Sequence, residues 1–109
     1  MYKELNENEI KKFLRMQKNW TLEDKRLHLK IKFNKFTEAF SFITEIALIS
    51  EKIDHHPEWK NCYGNISIEL YTHEKNCITN LDIDLAHQIN QVLNLKDKST
   101  FVIIDKAIN

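Results

Sequence analysis

The run Asp54-His55-His56-Pro57-Glu58-Trp59 sets two imidazoles side by side against the only proline of the chain, and a third follows at His73 in Tyr71-Thr72-His73. Carboxylates stand close to them in sequence at Glu51 and Asp54, and further on at Asp82. Side chains of these types can bind a metal, move protons, or do neither and sit at the surface near a turn. A histidine at the end of an element is most often a surface or capping residue, and His28 and His87 are read that way.

A zinc site would use His55, His56 and His73 as three protein ligands with water in the fourth position. Neighbours in extended backbone point to opposite sides, so His55 and His56 are badly placed to share one ion. No HExxH or other zinc spacing is present, and the expectation is no metal. Acid–base work fits better, because an imidazole titrates near neutral pH and can give and take a proton within one turnover. His-Pro restricts both of its residues, and Trp59 offers a flat apolar wall for a planar heterocycle. Glu51, Asp54 and Asp82 are carboxylates able to orient the rings.

What must position these groups is one domain of 109 residues, 42% apolar and 29% charged, with a single glycine and a single proline. A chain of this length buries enough surface to stand without a disulfide or a structural metal. So little glycine and proline favours regular elements joined by short polar turns. Sixteen basic residues balance sixteen acidic ones and are interleaved with them, so nucleic acid and membrane surfaces are not expected as direct partners. Zero net charge leaves little repulsion against self-association. Cys62 and Cys77 match no zinc or redox spacing. The N-terminal residues lack a signal pattern and no apolar run reaches membrane-spanning length, so the expected location is the cytoplasm.

Along the chain, Ile10, Phe13, Leu14 and Gln17 recur at helical spacing over residues 8–18, with Asn6 or Asn8 as cap. An extended segment starts at Trp20 and turns at 23–25. Leu27, Leu29, Ile31 and Phe33 then alternate with His28, Lys30 and Lys32, as in a half-buried antiparallel strand. From Thr37, a plausible N-cap, helical spacing returns through Ala39, Phe40, Ile43, Ile46, Ala47 and Ile53, with Phe42 and Ile49 widening the stripe. That helix must end before Pro57. Residues 61–73 read as a strand, a turn at Gly64-Asn65 and a longer strand carrying Ile66, Ile68, Leu70 and Thr72 on one face and Ser67, Glu69, Tyr71 and His73 on the other. A last helix runs through Leu81, Leu85, Ile89 and Val92, and Thr79 with Asp82 fits a capping box. The expected fold is α+β in the order α-β-β-α-β-β-α: a four-stranded antiparallel sheet with three helices on one face. The tail 96–109 contains the run Phe-Val-Ile-Ile at 101–104, to which no role is assigned.

The same residues resemble the pterin-4a-carbinolamine dehydratases, whose pattern runs E-K-x-x-H-H-P-x-W, then T-H at a strand end, then [ST]-x-x-D-x-x-L-A. Here these are Glu51, Lys52, His55, His56, Pro57 and Trp59, then Thr72 and His73, then Thr79, Asp82, Leu85 and Ala86. Phe33, Phe36, Ala39 and Phe40 are similar to the family's strand-to-helix junction, and the likeness spans roughly residues 20–92. The family usually has glycine and leucine before the [ST]-x-x-D segment, where this chain has Cys77 and Ile78. A glycine often marks a positive φ, so this loop is expected to take another path.

The resemblance implies loss of water from 4a-hydroxytetrahydropterin to give quinonoid dihydropterin, with no metal and no bound cofactor, in tetrahydrobiopterin recycling. It implies that His55 and His73 transfer the protons, exchanging roles with the stereochemistry at C4a. His56 would bind and orient the pterin, Trp59 would line the pocket, and Asp82 would hold His73. Glu51 and Asp54 would support the histidine pair, and Thr72 adjoins His73 in the motif. Members of the family form dimers or tetramers. An animal member also serves as dimerisation cofactor of a homeodomain transcription factor, so a protein-binding or coactivator role, with a nuclear presence, is the alternative that the resemblance carries.

Overall fold

A computed structural model describes residues 2–104. Helix α1 (Glu7–Met16) starts at Asn6, whose side chain accepts from the Glu9 amide while the Glu9 side chain accepts from the Asn6 amide. Strands β1 (Thr21–Glu23) and β2 (Arg26–Phe33) form a hairpin, with Glu23 opposite Arg26. Its two loop residues, Asp24 and Lys25, have φ of 50° and 62°, as a type I′ turn requires. Helix α2 (Phe36–Ile53) follows, then β3 (Glu58–Cys62), β4 (Asn65–Leu70) and α3 (Asn80–Asn94). A short 3₁₀ turn (Lys98–Thr100) leads into β5 (Phe101–Ile103).

The expected α+β class stands, with three helices and an antiparallel sheet, but among the described residues the sheet has five strands. β4 lies between β2 and β3. Along the other edge of β2, β1 pairs with residues 26–28 and β5 with residues 31–33. The fifth strand comes from the Phe-Val-Ile-Ile run: Phe101 lies opposite Phe33, is buried, and packs against it with ring centroids 5.5 Å apart and planes tilted by 43°. A strand of three residues is too short to show a period in sequence. Residues 105–109 of the tail lie outside those described.

One face of the sheet carries Leu27, Leu29, Ile31, Ile66, Ile68 and Leu70, all buried. Phe13 of α1, Phe42 and Ile46 of α2, and Leu85 and Ile89 of α3 pack into the same core. Each such side chain contributes about 1.5–3 kcal/mol by leaving water. The α2 stripe is rotated from the one expected: Phe42 is fully buried, whereas Phe40 is 55% exposed. Its N-cap is Lys35, not Thr37, with no side-chain cap bond. The β3–β4 turn falls at Tyr63-Gly64, one residue before the expected position, because Cys62 pairs with Asn65. Tyr63 takes the positive φ of 53°. Gly64 is needed for another reason: a Cβ there would lie 2.2 Å from the Phe33 carbonyl oxygen, beside the Gly64 carbonyl that accepts from the Phe33 amide.

Two polar ties set the position of α3. Buried Trp20 donates its indole N–H to Asn90 Oδ1 at 2.9 Å, and Asn90 donates to Gln17 Oε1 at 2.7 Å, joining α3 to the end of α1. At the other end, the Leu5 amide donates to the Ile78 carbonyl and the Asn80 amide to the Lys3 carbonyl, clamping the loop that begins α3.

Candidate active site

The histidine pair gets its directions from the way α2 ends. Asp54 is left-handed, with φ 54° and ψ 45°, and the His55 amide donates back to the Ser50 carbonyl at 3.1 Å. This is the six-to-one bond of a Schellman end, in which aspartate tolerates the φ that glycine usually takes. The reversal swings His55 inward, where it is buried, and leaves His56 exposed. The two rings therefore diverge, as extended neighbours do.

His55 Nε2 meets Asp82 Oδ1 at 2.6 Å, and Asp82 is wholly buried. Asp82 Oδ2 accepts from Thr72 Oγ1 at 3.0 Å and from the Thr79 amide at 2.9 Å. Thr72 spends its one hydroxyl proton on Asp82, so Thr79, 2.7 Å away, donates to Thr72. Thr79 Oγ1 in turn accepts from the Leu81 amide at 3.2 Å. Both oxygens of the carboxylate thus have donors, three in all, which is how a buried charge is made tolerable. Among the described residues no buried side-chain polar atom lacks a partner.

The aspartate expected to hold His73 holds His55 instead. With both Asp82 oxygens taken, His73 rests against Tyr71, its ring centroid 4.3 Å away and the planes 23° apart. His56 Nε2 lies 3.1 Å from Glu51 Oε2, an exposed pair. Asp54, His55, His56, Thr72, His73 and Glu74 together line a pocket of 260 Å³. A cavity of about 150 Å³ holds benzene, so a bicyclic ring has room. Trp59 is not on this wall. It stands opposite Ile68 in the β3–β4 ladder, packs half-buried on the core, and lines a separate 680 Å³ recess with Pro57, Glu58 and His28.

The loop between Thr72 and Thr79 runs without a glycine. Its positive φ, 50°, falls on Asn76, a residue type that accepts αL. Cys77 is left free to accept from the Thr72 amide at 2.7 Å. Burial pushes the Cys77 thiol above its ordinary range. Of the remaining histidines, His28 lies 3.4 Å from Glu69 on the outer face of the sheet, and His87 sits edge-on to Phe13. Sequence reasoning gave no role to Tyr71, although the strand alternation put it on the same face as His73. Its hydroxyl donates to Glu58 Oε1 at 2.7 Å. That bond holds the Glu58 carboxyl below its usual range and the Tyr71 phenol above its own. Among the described residues, no three His, Cys, Asp or Glu side chains are grouped so as to hold a metal ion.

A buried carboxylate behind one imidazole, with two more imidazoles on the same pocket, defines a site able to exchange protons with a bound ring. The model of the family described as “Pterin 4 alpha carbinolamine dehydratase” matches residues 3–92, and the chain belongs to that family. Two relatives from Prochlorococcus marinus carry the name “Putative pterin-4-alpha-carbinolamine dehydratase”. The protein of strain NATL2A is 41% identical over 90 residues, covering 83% of this chain and 95% of its own. That of strain MIT 9303 is 48% identical over 71 residues, covering 65% and 74%. A crystal structure described as “transcriptional coactivator/pterin dehydratase from Brucella Melitensis” superposes with a TM-score of 0.78 at 38% identity, covering 83% of this chain and 98% of that one.

Proposed function

We infer that the protein is a hydro-lyase that dehydrates 4a-hydroxytetrahydropterin by histidine acid–base catalysis, in tetrahydrobiopterin recycling. The C4a–O bond breaks as the hydroxyl takes up a proton and leaves as water. N5 gives up its proton, and its electron pair forms the C4a=N5 double bond of quinonoid dihydropterin. Nothing is oxidised and the proton count closes, so two imidazoles of opposite protonation suffice, with no metal or bound cofactor. The observation that carries this reading is the bond from Asp82 to His55 Nε2. A carboxylate there keeps the proton on Nε2 and leaves Nδ1 as the base in the neutral ring. His73, with neither nitrogen committed among the described residues, takes the complementary transfer. His56, paired with Glu51 at the mouth, binds and orients the pterin.

Stopped-flow dehydration of chemically prepared 4a-hydroxytetrahydropterin tests this. Wild type should be faster than buffer, His55→Ala and His73→Ala should each lose roughly 10²–10⁴-fold in kcat, and exhaustive chelation should change nothing. A wild-type rate equal to buffer would sink the reading. No described helix is long and apolar enough to cross a membrane, in keeping with a cytoplasmic enzyme. Self-association as a dimer or tetramer is part of the same proposal, tested by sedimentation. The name of the Brucella structure and the exposed Phe36, Phe40 and Leu48 of α2 favour a second reading, a protein-binding coactivator role. A defined partner complex that survives His55→Ala would support it, and one abolished by that change would not.

A further inference from the structure

We propose that Tyr71 is a positioning residue for His73, acting as an aromatic plate that fixes the imidazole plane without choosing its tautomer; this rests on the acid–base reading above. His73 stands beyond the end of β4 at Leu70 and is exposed. An exposed imidazole with two free torsions spreads over several rotamers, which is poor geometry for proton transfer. Among the described residues neither of its ring nitrogens has a hydrogen-bond partner, and its one ring contact is the Tyr71 face. Residues two apart in extended backbone share a side, so the stack follows from local geometry.

The plate is itself held from β2 and β3, the two strands that flank β4. Tyr71 is buried; its hydroxyl donates to Glu58 at the start of β3. The guanidinium of Arg26, at the start of β2, lies 3.9 Å from the ring centroid. Arg26 also reaches Glu58 at 3.7 Å and Glu69 at 3.5 Å. A change of the Tyr71 χ1 rotamer would break its contacts with Glu58 and Arg26 together. The consequence is a contrast between two histidines on one pocket. Asp82 fixes which nitrogen of His55 carries the proton, whereas a stacking face leaves both nitrogens of His73 available. One of them can face the ligand while the other exchanges with water, so His73 can act as donor or acceptor.

The test compares Tyr71→Phe, which keeps the ring, with Tyr71→Leu, which keeps apolar bulk without a face. In the dehydration assay Tyr71→Phe should stay within about threefold of wild type. Tyr71→Leu should lose roughly ten- to a hundredfold in kcat, the cost of a misplaced group, with KM changed by less than about threefold. The second readout needs no activity: in wild type and Tyr71→Phe the His73 ring protons should be ring-current shifted upfield in the NMR spectrum, and in Tyr71→Leu they should return to ordinary positions. Unshifted His73 protons in folded wild type would overturn the proposal even if Tyr71→Leu failed to fold. So would a Leu variant as fast as wild type, or a Phe variant as slow as Leu. Shifted protons in a protein with no dehydration activity would uphold the stack and reject the enzymatic reading instead.

Discussion

Replacing Asp82 by asparagine changes the site by one atom and separates the two jobs of that residue. A backbone N–H can only donate, so the Thr79 amide keeps the asparagine oxygen on its side, where Asp82 Oδ2 now accepts at 2.9 Å. The new NH₂ group then faces His55 Nε2, 2.6 Å from the present Oδ1. Two donors cannot share that line, so His55 must accept there and carry its proton on Nδ1. The base facing the ligand becomes an acid. Three hydrogen bonds to a charged acceptor become bonds to a neutral group, each weaker by about 1 kcal/mol; the lighter desolvation of an amide offsets part of this. The net cost is about 2–3 kcal/mol, or roughly 10 °C in Tm for a chain of this size. The kinetic cost should be roughly 10²–10⁴-fold in kcat, measured by stopped flow well below both melting temperatures. Asp82→Asn with kcat within about threefold of wild type would refute the tautomer argument, whatever its Tm. Lost stability with intact rate would show that Asp82 is a helix cap and nothing more.

Three further outcomes follow from the same structure. Gly64→Ala places a methyl 2.2 Å from the Phe33 carbonyl oxygen, so the β3–β4 turn must shift, at roughly 1–3 kcal/mol in urea unfolding. A thiol reagent at pH 8 should modify exposed Cys62 well before Cys77, whose thiol burial holds above its ordinary range; equal rates would contradict the placement of the Thr72–Cys77 loop. Glu58, held below its ordinary 4.5 chiefly by the Tyr71 hydroxyl, stabilises the fold above that pH and loses the contribution as pH falls through the folded-state value. The Tm gap between wild type and Glu58→Gln should therefore be present at pH 7 and close in acid. The effect is small for a carboxylate about half exposed, and a gap that widened in acid would reverse the assigned sign.

Much of this fold is legible in sequence wherever one local rule acts alone. The alternation of β2 puts Leu27, Leu29, Ile31 and Phe33 in the core, and the Thr79–Asp82 spacing marks the start of α3. Legibility fails where two residues satisfy the same rule. Phe40 and Phe42 are equally apolar, and only the packing of α2 on the sheet decides that Phe42 is buried. The single glycine suggests the positive φ, yet Tyr63 takes it and Gly64 serves the close approach to Phe33. The site behaves likewise. Five of the residues singled out in sequence, Asp54, His55, His56, Thr72 and His73, line one pocket, whereas Trp59 lines another. The pairings are not readable, since chain distance cannot say which histidine receives Asp82.

That choice is made by backbone features outside the histidines. The left-handed Asp54 turns His55 inward, while Asn76 absorbs the positive φ of the next loop and lets Thr72 and Thr79 converge on one carboxylate. Asp82 then caps a helix with one oxygen and holds His55 with the other. The capping and catalytic readings of this residue are not rivals, because the cap is what fixes the carboxylate in place. A helix N-terminus favours negative charge through its free amides, which suits a carboxylate at this position. In the proposed mechanism the same carboxylate backs the imidazole that takes the proton. A loop residue such as His73 has no such backing, and its ring is placed by stacking instead. The pocket therefore combines a histidine of one fixed tautomer with a histidine of either. That combination suits a reaction in which one proton is delivered and another removed.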